Sequence, residues 1–484
     1  MSENKKQGVL KSFLDYFYGN FIVLLLGFIS LPLITRIMST DEYGRTAMFQ
    51  SVVSIIYIFA ILGLDQGYIR YFYIDGVSRK KLFFQCLYPP LILILILSGV
   101  YLLFSSGFNA FLFERHSADI TALVVAYVIT SVFERFLFLN IRMDQKGKLY
   151  SNLNILSKVL YISFIVLFVK LIGDDFRVVL YALTLPLMMV TIGLLVRYMY
   201  ITRNEKISFS NKFDNNISEK ELLKYSMPFI PMLLMEWLLS SMDRWSIRFL
   251  NDFSETGVYS AAMQIMTIIL TVKATFVAFW SPIAMEKYEN ESEENCKEFF
   301  RDIFLKVQFL CLSLAFGLTI FRGIIVLILG EKYRDAINII PFLSLMPVLS
   351  IMFEMTGQGV KFVKKIKYFN YASIVAIVCN LLGNTLLVPK FRGVGAALAT
   401  GITYIVYFSI GTYFSEKCYP VKYKLSKFVI SMGLYMAYAC FATITDNQIM
   451  SFGIGLFVFI IHCLINFETI KSLMALVIGV VKKQ

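Results

Sequence analysis

Fourteen times along its length the chain returns to a run of roughly twenty mostly apolar residues, and that recurrence limits the possible folds more than any other feature. An α-helix rises 1.5 Å per residue, so about 20 apolar residues cross the ~30 Å hydrocarbon core of a bilayer. The runs have approximate cores at 14–37, 44–68, 83–104, 119–141, 151–170, 178–199, 225–250, 257–284, 302–321, 335–356, 368–388, 394–414, 426–443 and 449–467. Only helices and closed barrels satisfy every backbone N–H and C=O inside a bilayer, and runs this long and this uniformly apolar read as helices. The expectation is an all-α integral membrane protein of about 14 transmembrane helices. Composition agrees, with 58% hydrophobic and 16% charged residues where soluble domains carry roughly a quarter charged.

The net charge of +13 does not point to nucleic acid, because the cations lie in short loops between apolar runs. Counted on alternate sides, about 30 Lys and Arg fall on the N-terminal side and about a dozen on the other. The rich side holds "SRKK" (78–81), "IRMDQKGK" (141–148), "KFVKKIK" (361–367) and "EKCYPVKYKLSK" (416–427). Such a bias predicts both termini in the cytoplasm. The first apolar run follows basic residues but precedes no small-residue cleavage site, so it reads as an uncleaved first span.

A short motif occurs twice. "LPLITRIMSTDEYGRTAMFQS" (31–51) and "MDRWSIRFLNDFSETGVYSAAMQI" (242–265) both close an apolar run on Arg, cross a polar elbow ending Glu-x-Gly, and open a second apolar run. Aligning Gly44 with Gly257 pairs Glu42 with Glu255 and, across a one-residue gap, Arg36 with Arg248. Two six-helix halves of like topology are therefore expected, the parallel-repeat design of secondary transporters. The predicted organisation is a six-helix lobe at 1–201, a polar linker at 202–224, a second six-helix lobe at 225–415, and two additional helices with a tail at 416–484.

Charges inside spans are costly, roughly 2.5–3.5 kcal/mol at mid-bilayer on insertion scales, and each one invites a functional reading. Lys273 is the only charge in "YSAAMQIMTIILTVKATFVAFWSPIAM". It calls for a neutralising partner or a wet cavity. Span seven offers Glu236 and Asp243, seven residues apart and so on one helix face, with Arg244 and Arg248 nearby. Span four carries Glu134 and Arg135, and span two Asp65 and Arg70. Lys273, Arg244, Arg135, Arg70, Arg36 and Arg248 are the candidate cationic binding residues. Arg suits phosphate through its forked donors. Near helix ends, however, Arg36, Arg70 and Arg248 equally suit anchoring to head groups. Glu236, Asp243, Glu134 and Asp65 are candidates for charge balance, a coupling proton, or Na⁺.

Other chemistries lack their signatures. The chain has no GxxxxGK[ST] loop, HExxH helix or EF-hand pattern, and its seven cysteines form no CxxC. No metal site, cofactor or nucleic-acid partner is expected, nor catalysis. "GVGAAL" (393–398) imitates a dinucleotide fingerprint but opens an apolar span, where glycines serve helix packing.

"LPLITRIMSTDEYG", "ILGLDQGYIRYF", "LLKYSMPFIPMLLMEWLLSSMDRWSIRFL", "LILGEKYRDAINIIPFLSL" and above all "NLLGNTLLVPKFRGVGAALATGITY" (380–404) resemble the polysaccharide-transporter family. These are the O-antigen and capsule repeat-unit flippases of the multidrug/oligosaccharidyl-lipid/polysaccharide (MOP) exporter superfamily. The resemblance covers about Phe13 to Ser415. It implies two six-helix lobes related by a pseudo-two-fold axis, as in the superfamily's multidrug exporters, plus two extra helices. The implied cargo is an undecaprenyl-diphosphate-linked oligosaccharide carried from the inner to the outer leaflet of a bacterial cytoplasmic membrane. Membrane lipids, a polysaccharide polymerase and a chain-length regulator are the implied partners. A multidrug exporter and a peptidoglycan-precursor flippase of the same superfamily are the alternatives. A membrane polymerase acting on the same lipid-linked sugars fits less well, because the outer loops are short.

Overall fold

The computed structural model describes residues 3–74, 77–203 and 217–481. All regular structure among them is helical. Residue contacts divide the chain into two compact units, Met1–Leu238 and Leu239–Gln484. The expected central linker, 202–224, lies outside the described residues over 204–216.

The first unit contains α1 (Glu3–Ile37), α2 (Thr40–Ile61), α3 (Leu64–Tyr71), α4 (Arg79–Leu103), α5 (Ser105–Phe113), α6 (Ala118–Met143), α7 (Gly147–Ile172), α8 (Arg177–Ile201), α9 (Glu219–Ser226) and the start of α10 (Phe229–Leu250). The second holds the rest of α10, then α11 (Phe253–Asn290), α12 (Glu293–Ile320), α13 (Arg322–Leu327), α14 (Ala336–Leu343), α15 (Leu345–Thr356), α16 (Gln358–Phe362), α17 (Lys367–Cys418), α18 (Ser426–Ile444), α19 (Gln448–Ile465) and α20 (Phe467–Val481).

Thirteen helical stretches of the described residues are long and apolar enough to cross a membrane. One of them, the 52-residue α17, breaks at Arg392, whose φ of 49° and ψ of −132° are not helical. Its two arms, 367–391 and 393–418, coincide with the two runs expected at 368–388 and 394–414. The chain is an all-α, multi-pass membrane protein. The 15-residue α20, too short to span, lies beyond the last expected run.

Two glycines show how the sequence permits these bends. α2 ends at Leu62 and Gly63, both left-handed at φ 55° and 67°. A Cβ on Gly63 would stand 2.3 Å from the Ser226 carbonyl oxygen, so α9 packs onto backbone there. At the α17 break, a Cβ on Gly395 would meet the Leu387 carbonyl oxygen at 2.4 Å. The "GVG" stretch thus lets one arm of α17 press on the other, as the packing reading of its glycines expects.

The repeated elbow does the same work in both units. Ser39 precedes α2 and donates its backbone N–H to Asp174 at 2.9 Å, while Asp252 precedes α11 and accepts from the Glu255 N–H at 2.8 Å. Glu42 accepts from Arg45 at 2.8 Å, from Arg115 at 2.7 Å, and from the Phe176 backbone N–H at 2.8 Å. Glu255 accepts from Arg392 and from the Gly393 N–H, each at 3.3 Å. Phe176 and Gly393 stand at the starts of α8 and of the second arm of α17. Each elbow carboxylate therefore meets the free N–H groups and positive dipole end of the sixth long helix of its own half.

Candidate functional site

Within the first unit the sequence candidates Asp65, Glu134 and Arg135 come together. Polar residues recur on one face of α2 (Gln50, Ser54, Tyr57) and of α6 (Tyr127, Ser131, Glu134, Arg135), at the three-to-four-residue spacing of a helix. With Tyr150 and Asn154 of α7 they line a cavity of about 590 Å³. The Arg135 guanidinium reaches the buried Asp65 carboxylate at 2.5 and 3.2 Å, and Asp65 is 4% exposed. Arg135 is thereby paired, with about a third of its side chain still exposed. The adjacent Glu134 makes no hydrogen bond or ion pair with a described residue. Tyr57, Tyr127 and Tyr150 add ring faces and hydroxyls. The cavity thus combines an unpaired carboxylate, amides, hydroxyls and aromatic surface, a set that both donates to and accepts from a polyol.

Lys158, absent from the sequence-derived candidates, belongs to the same neighbourhood. It lies one turn beyond Asn154 on α7, with Nζ 4.5 Å from the Tyr161 ring centroid. No carboxylate stands within 4.0 Å of it among the described residues. It is the only charge between Lys148 and Lys170, the signal that singled out Lys273.

In the second unit Asp243 is wholly buried and ringed by neutral donors. Oδ1 accepts from Asn380 at 3.1 Å and Asn384 at 2.8 Å. Oδ2 accepts from Thr400 at 2.5 Å and from the Tyr259 hydroxyl. No Lys or Arg pairs with this carboxylate among the described residues. The Asn384 side-chain oxygen, buried beside it, lacks a hydrogen-bond partner. One residue from α11, two from one arm of α17 and one from the other thus converge on the single buried carboxylate that α10 supplies. A buried carboxylate without a cation is expensive unless it is protonated or meets a positive ion.

Lys273 finds its partner elsewhere than span seven offered. Its ammonium donates to Ser350 Oγ at 2.6 Å and stands 3.4 Å from Glu354 Oε1. Lys361 takes the other oxygen of Glu354 at 3.1 Å. Glu354 was missed although it is the only charge of the 336–356 span. On α10, Asp243 is buried while Glu236 is exposed, although the two were expected to share one face. Arg244 is half-buried on that helix. Arg248 lies 4.0 Å from the Phe253 ring centroid. Arg36 and Arg70 are exposed at the ends of α1 and α3.

The chain is 20% identical over 420 residues to the probable low-salt glycan biosynthesis flippase Agl15 of Haloferax volcanii, covering 86% of this chain and 85% of that protein. It is 21% identical over 420 residues to the capsular polysaccharide biosynthesis protein CapF of Staphylococcus aureus, covering 85% of this chain and all of that one. The fold resembles that of the lipid II flippase MurJ in an inward closed conformation, with a TM-score of 0.69 at 14% identity over 94% of this chain and 99% of the other. It also resembles an inward-facing multidrug resistance MATE transporter of the MOP superfamily, with a TM-score of 0.59 at 14% identity over 82% and 94% of the two chains. Residues 9–286 match the model of the polysaccharide biosynthesis protein family. The chain belongs to that family, and it is a multi-pass membrane protein with the fold of the flippase and MATE structures named above.

Proposed function

We propose that this protein flips undecaprenyl-diphosphate-linked oligosaccharide repeat units across the bacterial cytoplasmic membrane for O-antigen, capsule or exopolysaccharide synthesis. The observation that carries the reading is the first unit's cavity lined by tyrosines, amides, hydroxyls and a carboxylate, in a family named for polysaccharide biosynthesis. A multidrug pocket for organic cations needs only a carboxylate in apolar walls, whereas this cavity sets amides and hydroxyls beside its carboxylate. The sugar head group occupies the cavity, with Glu134, Gln50 and Asn154 exchanging hydrogen bonds with its hydroxyls. Cations along the path, with Lys273, Arg135, Arg244, Arg70, Arg36 and Arg248 as the candidates, offset the diphosphate charge, and the lipid tail stays in the bilayer. Alternating access moves the head group, and the Asp243 cluster couples that movement to a proton or a monovalent cation. Both termini lie in the cytoplasm, as the Lys and Arg distribution predicts, and a polymerase and chain-length regulator act downstream.

Complementation tests the reading. A bacterium deleted for its own repeat-unit flippase receives wild type or Glu134→Ala at equal membrane abundance. Surface polysaccharide and inner-membrane lipid-linked repeat units are then measured. Rescue by wild type with accumulation of repeat units in the variant is expected. Failure of wild type across hosts with different repeat units, together with rescue of a host lacking its peptidoglycan-precursor flippase, would replace the cargo.

A further inference from the structure

A second cavity of the first unit, about 120 Å³, opens on the cation-rich side where α4 and α7 begin and α6 and α8 end. Arg79, Lys80, Lys146 and Arg197 line it, with Asp144 as the only acid. The charges are not balanced inside it. Asp144 takes Lys146 at 2.8 Å and Arg79 at 3.5 Å. Lys80 donates to the Thr202 carbonyl oxygen at 2.8 Å. Arg197 has no ion pair or hydrogen bond with a described residue. Helix polarity sharpens the imbalance. The first turns of α4 and α7 contain no acidic residue, and cations stand instead at these positive dipole ends, where an anion is favoured.

The walls indicate what kind of anion. Leu137, Leu194 and Ile201 form the apolar side. Ile201 is 55% exposed and its neighbours Val196 and Tyr200 are also exposed, so the mouth continues into surface that a bilayer covers. The volume suits one phosphate group. We propose that this cavity binds the phosphate of an anionic phospholipid, with Arg197 as its principal ligand and the acyl chains running along α8. Basic pockets between helices on the cytoplasmic side are a recurrent way of holding such head groups. The bound lipid would tie together the ends of four helices of the first unit.

The test reads binding alone, independently of transport. The full chain is placed in phosphatidylcholine nanodiscs, and binding of a fluorescent phosphatidylglycerol is titrated with inorganic phosphate as competitor. Saturable binding is expected, weakened about tenfold by Arg197→Gln, as loss of one charge-assisted hydrogen bond implies. Arg197→Lys should recover most of it. Lys170→Gln, the same charge change at the other end of α7, should leave it intact, and inorganic phosphate should not compete. If phosphate binds alone and competes with the same Arg197 dependence, the lipid assignment is overturned in favour of a free phosphate. If Arg197→Gln has no effect, or Lys170→Gln weakens binding equally, no discrete site exists there.

Discussion

Lys273 and Glu354 allow a test in which the structure fixes both the ranking and the size of the effects. Glu354 has two cations, Lys273 at 3.4 Å and Lys361 at 3.1 Å, whereas Lys273 has one carboxylate and the Ser350 hydroxyl. Lys273→Met therefore leaves Glu354 paired, and costs about 1 kcal/mol, the scale of one polar interaction between membrane helices. Glu354→Gln orphans the ammonium of Lys273 within its span. Breaking a fully buried pair costs about 3–5 kcal/mol. With side chains 26% and 21% exposed, solvent screening reduces this to about 2–3 kcal/mol. The double variant loses both charges and leaves only Lys361, which is one-third exposed. It should thus be more stable than Glu354→Gln alone, with a coupling of at least about 1 kcal/mol. Reversible unfolding in mixed detergent micelles measures all three variants. The reasoning is refuted if Lys273→Met is the worse single change or if the double variant equals the sum of the singles. Transport by the double variant then separates the roles. A stable double variant that still moves cargo makes Lys273 structural, and one that does not places the ammonium on the path.

Three further outcomes follow from the same geometry. Asp243→Asn, which keeps the shape but removes the charge, should leave the protein folded and abolish the dependence of transport on the driving ion in proteoliposomes; unchanged ion dependence would remove Asp243 from coupling. Glu42→Gln should cost about 2–3 kcal/mol, since Glu42 is buried with two Arg partners and a backbone N–H, whereas Glu255→Gln should cost under about 1 kcal/mol because its Arg392 partner is 67% exposed; equal losses in thermal unfolding would contradict this. Gly63→Ala should destabilise by more than about 1 kcal/mol, since φ is positive and the Ser226 carbonyl oxygen occupies the Cβ position; an unchanged melting temperature would mean that α9 does not pack there.

The membrane class and the long apolar helices, thirteen stretches of the described residues with one broken at Arg392, were legible because hydropathy is a local property and the length of a span is set by the bilayer. Even the break in α17 could be read, since the polar "PKFRG" (389–393) interrupts two apolar runs. What could not be read was which helix packs on which. Lys273 was recognised as needing a partner, yet α15 supplied it from 81 residues away, and no periodicity encodes that distance. Glu236 and Asp243 show the converse limit: helical spacing sets a shared face, but burial depends on what covers that face at each height. Asn380, Asn384, Thr400 and Tyr259 were illegible for a different reason. As neutral residues in apolar runs they look like packing, and only a carboxylate at their centre makes them a site. Lys158 and Glu354 were legible but overlooked, since each is a lone charge in its span.

The elbow motif gained its meaning only in three dimensions. Sequence comparison paired Glu42 with Glu255 but could not say what either carboxylate touches. Both touch the start of the sixth long helix of their own half, Phe176 in one case and Gly393 in the other. A chance recurrence of a short polar turn has no reason to place its glutamate on the same element twice, since the partner lies more than 130 residues downstream in each case. A repeated six-helix plan does require it, because the same helix N-terminus is exposed at the same corner of each half and needs the same anion. The two copies have nevertheless diverged. Glu42 sits in a network with Arg45, Arg115, Asp175, Arg177 and Asp119, while Glu255 holds a single exposed arginine at 3.3 Å. The elbow end of the first unit is thus cross-linked by charge and that of the second only lightly tied. If the two halves loosen at different cost, hydrogen exchange should be slower at the amides starting α8 than at those starting the second arm of α17, and Glu42→Gln should erase that difference. Equal exchange in the wild type would mean that the ion network at the first elbow adds no rigidity.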